Sequence, residues 1–164
     1  MKRSRTSAGL LMFRKSRGQL EVLLVHPGGP YFRNKDQGAW TIPKGEVAEG
    51  EDLLARARIE FEEELGIRAP TATNWIELGS VKQKGGKTVH AWALEGDCPV
   101  DFVAAPNTFE MEWPPRSGRI QQFPEIDRVE FFPVEEAKRK INEAQIAFLD
   151  RLAAALHLKS GCPP

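Results

Sequence analysis

The chain has 164 residues, 41% hydrophobic and 28% charged, with 23 basic residues against 23 acidic ones. That length fits one domain over residues 1–164, with a short tail at 158–164, burying about 70% of its unfolded surface. A balanced charge leaves no electrostatic footprint for nucleic acid or a membrane surface, so neither is expected as a partner.

The N-terminus is basic and then apolar, but its apolar run is too short for a signal peptide and lacks a small-residue cleavage site. No stretch approaches membrane-spanning length. Cys98 and Cys162 carry no motif spacing, and the expected compartment is the reducing cytoplasm.

Ser7 to Phe13 reads as a strand. Leu20 to His26 reads as a second, apolar enough to be buried on both faces and to pair with the first as a hairpin. Pro27-Gly28-Gly29-Pro30 ends it, and a polar loop follows from Tyr31 to Gly38. Trp40-Thr41-Ile42 is expected as a short strand stopped by Pro43-Lys44-Gly45, with Gly45 to Gly50 as a tight loop. Glu51 and Asp52 then put negative charge in a first helical turn, where exposed N–H groups and the dipole favour it. Nothing breaks that helix before Gly66, which sits where a C-terminal cap belongs.

At 100° per residue Leu53, Leu54, Ala57, Phe61 and Leu65 share one arc, the expected core face. Glu60, Glu63 and Glu64 run along its edge at i, i+3 and i+4, while Glu62 points elsewhere. Such neighbours have Cβ atoms about 5–6 Å apart, and like charges at that spacing weaken a helix. At an effective dielectric of about 20, two charges about 6 Å apart repel by roughly 2–3 kcal/mol. A solvated acidic face is the commoner reason for such a run. The alternative is a bound cation, and oxygen ligands without His or Cys favour Mg²⁺ or Mn²⁺ over Zn²⁺.

Beyond the helix, Trp75 to Lys84 and Lys87 to Glu95 read as strands joined at Gly85-Gly86. Lys82, Lys84 and Lys87 surround that turn, either as a charged sheet edge or as phosphate contacts. His90 shares a strand face with Thr88 and Trp92, as a structural hydrogen-bonder or a substrate contact. Phe109, Met111 and Trp113 alternate with Glu110 and Glu112 in a short strand ended by Pro114-Pro115, and Arg116 to Arg119 is a basic turn. Asp127 to Phe132 is the last strand. A helix from Pro133 to Ile141 follows, then an N-cap at Asn142 and a helix with the stripe Ile146, Leu149, Leu152, Ala153 and Leu156.

Gly45, five residues, Glu51, seven residues, then Ile59-Glu60-Phe61-Glu62-Glu63-Glu64-Leu65-Gly66-Ile67 resembles the Nudix box. One fixed position departs: Ile59 stands where the box has Arg. The resemblance implies an α/β fold of the Nudix type, an α/β/α sandwich with a mixed sheet. It implies hydrolysis of a nucleoside or other organic diphosphate with Mg²⁺ or Mn²⁺ as cofactor, on a small-molecule nucleotide or organic diphosphate substrate. Gly45, through its carbonyl, with Glu60, Glu63 and Glu64, would hold metal, and Glu60 or Glu63 would double as catalytic base. A further carboxylate is expected from a loop outside the box. Glu110, Glu112 and Glu125 are candidates, and Glu112 is preferred because Met111 and Trp113 flank it. Lys44, Lys82, Lys84, Lys87 and His90 would contact substrate, and Glu51 would support the loop. Arg56, four residues before Glu60, is the expected stand-in for the absent box Arg.

The run from Trp40 to Gly45 and the run from Lys87 to Trp92 look like those of asymmetric diadenosine polyphosphate hydrolases. Those enzymes often stack the base on a Tyr after the box. Here Tyr31 lies before it, so His90, Trp92 or Trp113 would have to serve. The alternative function is a Nudix fold that has lost turnover and binds nucleotide as a sensor.

Overall fold

The computed structural model describes residues 5–69, 75–98 and 107–159. Cys162 and the tail beyond Lys159 lie outside the described residues. Strand β1 (Thr6–Ser16) and strand β2 (Gln19–Pro27) form the expected hairpin, with Phe13 opposite Val22. Strand β3 (Lys44–Glu46) pairs with the start of β1, Gly45 opposite Ala8, so β2 and β3 divide one edge of β1 between them. Helix α1 (Leu53–Leu65) follows, then strands β4 (Ile76–Lys82) and β5 (Thr88–Glu95). β5 runs parallel to β1, while the other pairs in the sheet are antiparallel. Strands β6 (Thr108–Glu112) and β7 (Ile120–Pro124) make a separate ribbon. Strand β8 (Ile126–Pro133) then joins the edge of β2, giving the order β4-β5-β1-β2-β8 with β3 beside β1. Helix α2 (Val134–Lys140), a 3-10 turn at Glu143–Gln145 and helix α3 (Ile146–Lys159) close the chain.

Alternation along β1 builds the two cores. Ala8, Leu10 and Met12 pack with Ala57, Phe61 and Leu65 of α1. Leu11 and Phe13 pack with Phe148, Leu149 and Leu152 of α3 on the opposite face. A strand covered on both faces has to be apolar where it is covered, as β1 is from Ala8 to Phe13 and β2 from Val22 to Val25. Each fully buried Leu or Phe contributes about 1.5–3 kcal/mol. The result is an α/β/α sandwich around a mixed sheet. No helix among the described residues is long and apolar enough to cross a membrane.

Three local expectations change. Trp40 to Ile42 is not a strand: it makes only isolated bridges, Thr41 with Val25 and Trp40 with Ile141. The reason lies in Gln145, fully buried, whose Oε1 accepts the Ile42 N–H at 3.1 Å and so takes a bond that a neighbouring strand would have made. The extended segment falls instead on Lys44–Glu46, inside the stretch expected as a loop. β7 goes unpredicted because Ile120 to Pro124 is mostly exposed and is held by its ladder to β6 rather than by burial. The β4–β5 turn spans Gln83 to Gly86, closed by the Gly86 N–H on the Gln83 carbonyl (3.1 Å), rather than two glycines alone.

Candidate metal and active site

β3 and α1 meet at the acidic cluster. A Cβ on Gly45 would lie 2.0 Å from the Glu60 carboxyl carbon, so only glycine lets this carboxylate lie against the β3 backbone. α1 is fixed at its start by Asp52, whose side chain accepts the Ala55 N–H at 2.9 Å, and at its end by Gly66 with φ 72°. Ala57, Phe61 and Leu65 face the core as expected, which sets Glu60, Glu63 and Glu64 at the rim.

Arg56 holds the pieces together. Its Nε donates to Glu51 Oε2 at 2.9 Å, its Nη2 to the same oxygen, and its Nη1 to Glu60 Oε1 at 3.2 Å. Glu51 also accepts the Ala48 N–H at 2.9 Å, tying the loop to the helix. The bonds from Arg56 and Ala48 hold the Glu51 carboxyl below its ordinary range. The Ile59 side chain, by contrast, is 41% exposed and offers no charge to the cluster.

The carboxylates that face one another are raised. Burial, reinforced by Glu60, pushes Glu64 up to about 8 against the pull of Lys44. Glu64 Oε2 is sealed from solvent and has no hydrogen-bond partner among the described residues. Burial and then Glu63 raise Glu60. Burial and then Glu63 also raise Glu125, in the bend between β7 and β8, and Glu125 acts in turn on Glu60 and Glu64. Lys44 is pulled below its ordinary range by burial and by Lys87, with Glu64 opposing.

An orphaned buried carboxylate oxygen, a carboxylate seated on a glycine and an all-oxygen donor set fit a hard divalent cation. Gly45, Glu60, Glu63 and Glu64 are the residues that fit it. They are not a ready-made cage: among the described residues no three His, Cys, Asp or Glu side chains already converge on one point. Glu60 is turned toward Arg56 instead.

The other expected site residues divide. Lys44 and Lys87 stand at the cluster, Lys87 also reaching Glu46 at 3.1 Å. Lys82 and Lys84 instead line a cavity of about 660 Å³ with Gln83, Gly38, Asn142 and Glu143. His90 pairs with Ala8 and Ser80, on the sheet face that α1 covers. Glu112 ends β6, exposed, with its Oε1 accepting the Arg116 N–H at 2.8 Å, and Glu110 accepts from Gln122 at 3.4 Å. Of the three loop candidates, Glu125 is the one whose charge acts on the cluster. The preference for Glu112 rests on the flanking Met111 and Trp113, and here the Trp113 ring meets Tyr31 at 5.3 Å; the usable signal is Pro124-Glu125, a break between two strands.

A mixed sheet sandwiched by helices, with a glutamate edge presented by a loop and helix, defines a class of α/β fold organised around a carboxylate cluster. The family model described as the NUDIX domain matches residues 3–152, and the chain belongs to that family. Nudix hydrolase 6 of Arabidopsis thaliana is 31% identical over 118 residues, covering 71% of this chain and 35% of its own length. Nudix hydrolase 7 of the same plant is 28% identical over 131 residues, covering 79% and 39%. The chain thus spans little more than a third of these relatives. Among solved structures, a C. elegans Ap4A hydrolase binary complex superposes with a TM-score of 0.63 at 24% identity, over 92% of this chain and 98% of that one. The NUDIX domain of Shewanella oneidensis NrtR, complexed with ADP ribose, gives 0.61 at 15% identity over 95% and 90%.

Proposed function

We propose that the chain is a single-domain, Mg²⁺- or Mn²⁺-dependent Nudix pyrophosphohydrolase, cleaving a small nucleoside-diphosphate-linked substrate in the cytoplasm. The observation that carries this reading is Glu64, whose buried Oε2 has no partner among the described residues while Glu60 and Glu125 press charge upon it. A cation resolves that arrangement; a structural role leaves it a standing cost.

When bound, the divalent ion neutralises pyrophosphate charge and lowers the pKa of a coordinated water. Glu60, Glu63, Glu64 and the Gly45 carbonyl would hold it, and Arg56 keeps Glu60 and the loop in register. Glu63, exposed beside Glu125, would take the proton of an attacking water, with Glu125 as the fourth carboxylate in place of Glu112. Lys44 and Lys87 set positive charge where the non-bridging oxygens develop negative charge. Among substrates a dinucleoside polyphosphate leads, supported by the motif pattern around the box and by the Ap4A hydrolase among the structural neighbours.

The second reading is a nucleotide-binding sensor, favoured by Ile59 in the place of the box Arg. Phosphate-product release separates the two, on a panel of diadenosine tetraphosphate, ADP-ribose, nucleoside triphosphates and a diphosphoinositol phosphate with Mg²⁺ or EDTA. The enzyme reading expects turnover that EDTA abolishes and that Glu63→Gln lowers by about 10²–10⁴-fold, the worth of a positioned base. Tight nucleotide binding without turnover on any member moves the assignment to the sensor.

A further inference from the structure

Gln145 is fully buried in the 3-10 turn before α3, yet the chemistry above makes no use of its amide. A buried amide costs free energy unless its groups are bonded, and an apolar side chain of similar size would fill the space without that cost. Here both ends of the amide are bonded. Oε1 accepts the Ile42 N–H at 3.1 Å, while Nε2 donates to Gln83 Oε1 at 2.7 Å and to the Thr41 hydroxyl at 2.9 Å. The two ends are not interchangeable. A backbone N–H only donates, so the oxygen has to face Ile42 and the nitrogen has to face Gln83.

These partners lead to the two cations at the carboxylate cluster. On one side Ile42 runs through Pro43, whose carbonyl accepts the Leu10 N–H at 3.1 Å, into Lys44 and Gly45 of β3. On the other, the Gln83 N–H donates to the Lys87 carbonyl at 2.7 Å, and the Gln83 carbonyl accepts from Gly86, closing the turn that presents Lys87. β3 and β5 lie on opposite edges of β1, so no shared ladder sets the two lysines against each other. The Lys87–Glu46 pair joins the two segments at the surface, where an exposed ion pair is worth little. Gln145 joins them from inside, and a fully bonded buried network specifies one arrangement.

We propose that Gln145 is a positioning residue of the active site: its amide fixes the turn carrying Lys87 against the segment carrying Lys44, and so sets the spacing of the two cations that meet the phosphate oxygens. The proposal rests on the reading of the cluster as a phosphoanhydride hydrolase. The proteins that test it are the wild type, Gln145→Met, Gln83→Ala, Gln83→Glu, the double variant Gln83→Ala/Gln145→Met, and Leu152→Ala as a control in the core of α3. Amide hydrogen exchange reads the link without turnover. Gln83→Ala removes no bond of Ile42 itself, yet it is expected to speed exchange at the Ile42 amide by about 2- to 12-fold, the worth of one net hydrogen bond. Gln145→Met is expected to do the same at the Gln83 amide. Gln83→Glu, whose carboxylate still accepts from Gln145 Nε2, keeps the wild-type rate at Ile42.

Initial rates with Mg²⁺ then read the spacing, on the panel substrate that the wild type cleaves fastest. Misplaced charge acts on the transition state, so kcat is expected to fall by about 10- to 100-fold in Gln145→Met and in Gln83→Ala, with KM little changed. The double variant loses no more than the worse single one, because both changes cut the same chain of contacts. Leu152→Ala lowers the melting temperature by opening a cavity, yet leaves kcat unchanged well below that temperature. Four results overturn the proposal: Ile42 exchange unchanged in Gln83→Ala, kcat unchanged in both single variants, losses that multiply in the double variant, or an equal loss in Leu152→Ala. If Gln145→Met does not fold, Gln83→Ala and Gln83→Glu decide it. A wild type that turns over no member of the panel removes the hydrolase reading instead. Exchange then decides the link alone: coupled rates at Ile42 and Gln83 uphold it, and independent rates overturn it.

Discussion

Arg56 has two carboxylates to satisfy and reaches both from one turn of α1. It closes Glu51 to the helix and holds Glu60 at 3.2 Å, so the loop, the helix and the cluster share one cation. Ile59 points to solvent and offers no substitute. Outer-shell partners of metal-binding residues are worth about 10–100-fold in affinity or activity. Arg56→Ala is therefore expected to lower kcat/KM and Mg²⁺ affinity by about that factor, as read by initial rates across a metal titration. Adding Ile59→Arg is expected to restore part of the loss, while Ile59→Arg alone costs little because the position is exposed. Unchanged metal affinity and turnover in Arg56→Ala would remove Arg56 from the site. The pairing of Arg56 with Glu60 is legible in the sequence, because i and i+4 on a helix are neighbours. The same rule is silent on Glu125, which meets the cluster through a bend between strands that no periodicity encodes.

At the scale of elements, α1 is readable from the sequence except at its first turn, and the strands only in part. Its core arc, its acidic edge and Gly66 after it are local signals that survive folding, whereas Glu51 and Asp52, expected in its first turn, precede it, Asp52 as the N-cap. β3 and β7 are short, and each owes its conformation to a partner strand: β3 to β1, distant in sequence, and β7 to the preceding β6, with little burial of its own to signal it. Trp40 to Ile42 has strand composition, yet Gln145, more than a hundred residues on, intercepts its backbone. α1's own contribution is testable without touching the carboxylates. Phe61 is fully buried in the core beneath the cluster, and Phe61→Ala is expected to cost about 3–5 kcal/mol in chemical denaturation. Gly66→Ala forces a side chain into the left-handed region and is expected to cost about 1–2 kcal/mol. A Gly66→Ala protein as stable as wild type would mean that the cap contributes nothing to holding the helix end.

For the molecule as a whole, the raised carboxyls make stability without metal depend on pH in an unusual direction. Glu64 titrates from an ordinary 4.5 to about 8 in the folded state, so between those values the folded chain keeps a proton that the unfolded chain has lost. Stability then falls as pH rises, by up to about 1.4 kcal/mol per pH unit for one group. Glu60 and Glu125 are raised and act in the same sense above the ordinary carboxyl value. Glu51, Asp36 and Asp97 are lowered, and their support is lost only as pH drops through the ordinary carboxyl range. The metal-free protein should therefore be most stable near pH 5 and weaken steadily toward pH 8. A divalent cation binds the ionised carboxylates and must oppose that trend: at a hundredfold excess over Kd it adds about 2.7 kcal/mol, and more of its effect appears at pH 8 than at pH 5. Glu64→Gln should flatten the metal-free profile and shrink the gain from Mg²⁺. Thermal melts from pH 5 to 8, with EDTA and with saturating Mg²⁺, measure all of this at once. A metal-free melting temperature that climbs from pH 5 to 8 would show that the cluster is solvated, and the same buried oxygen that argues for a cation would lose its force.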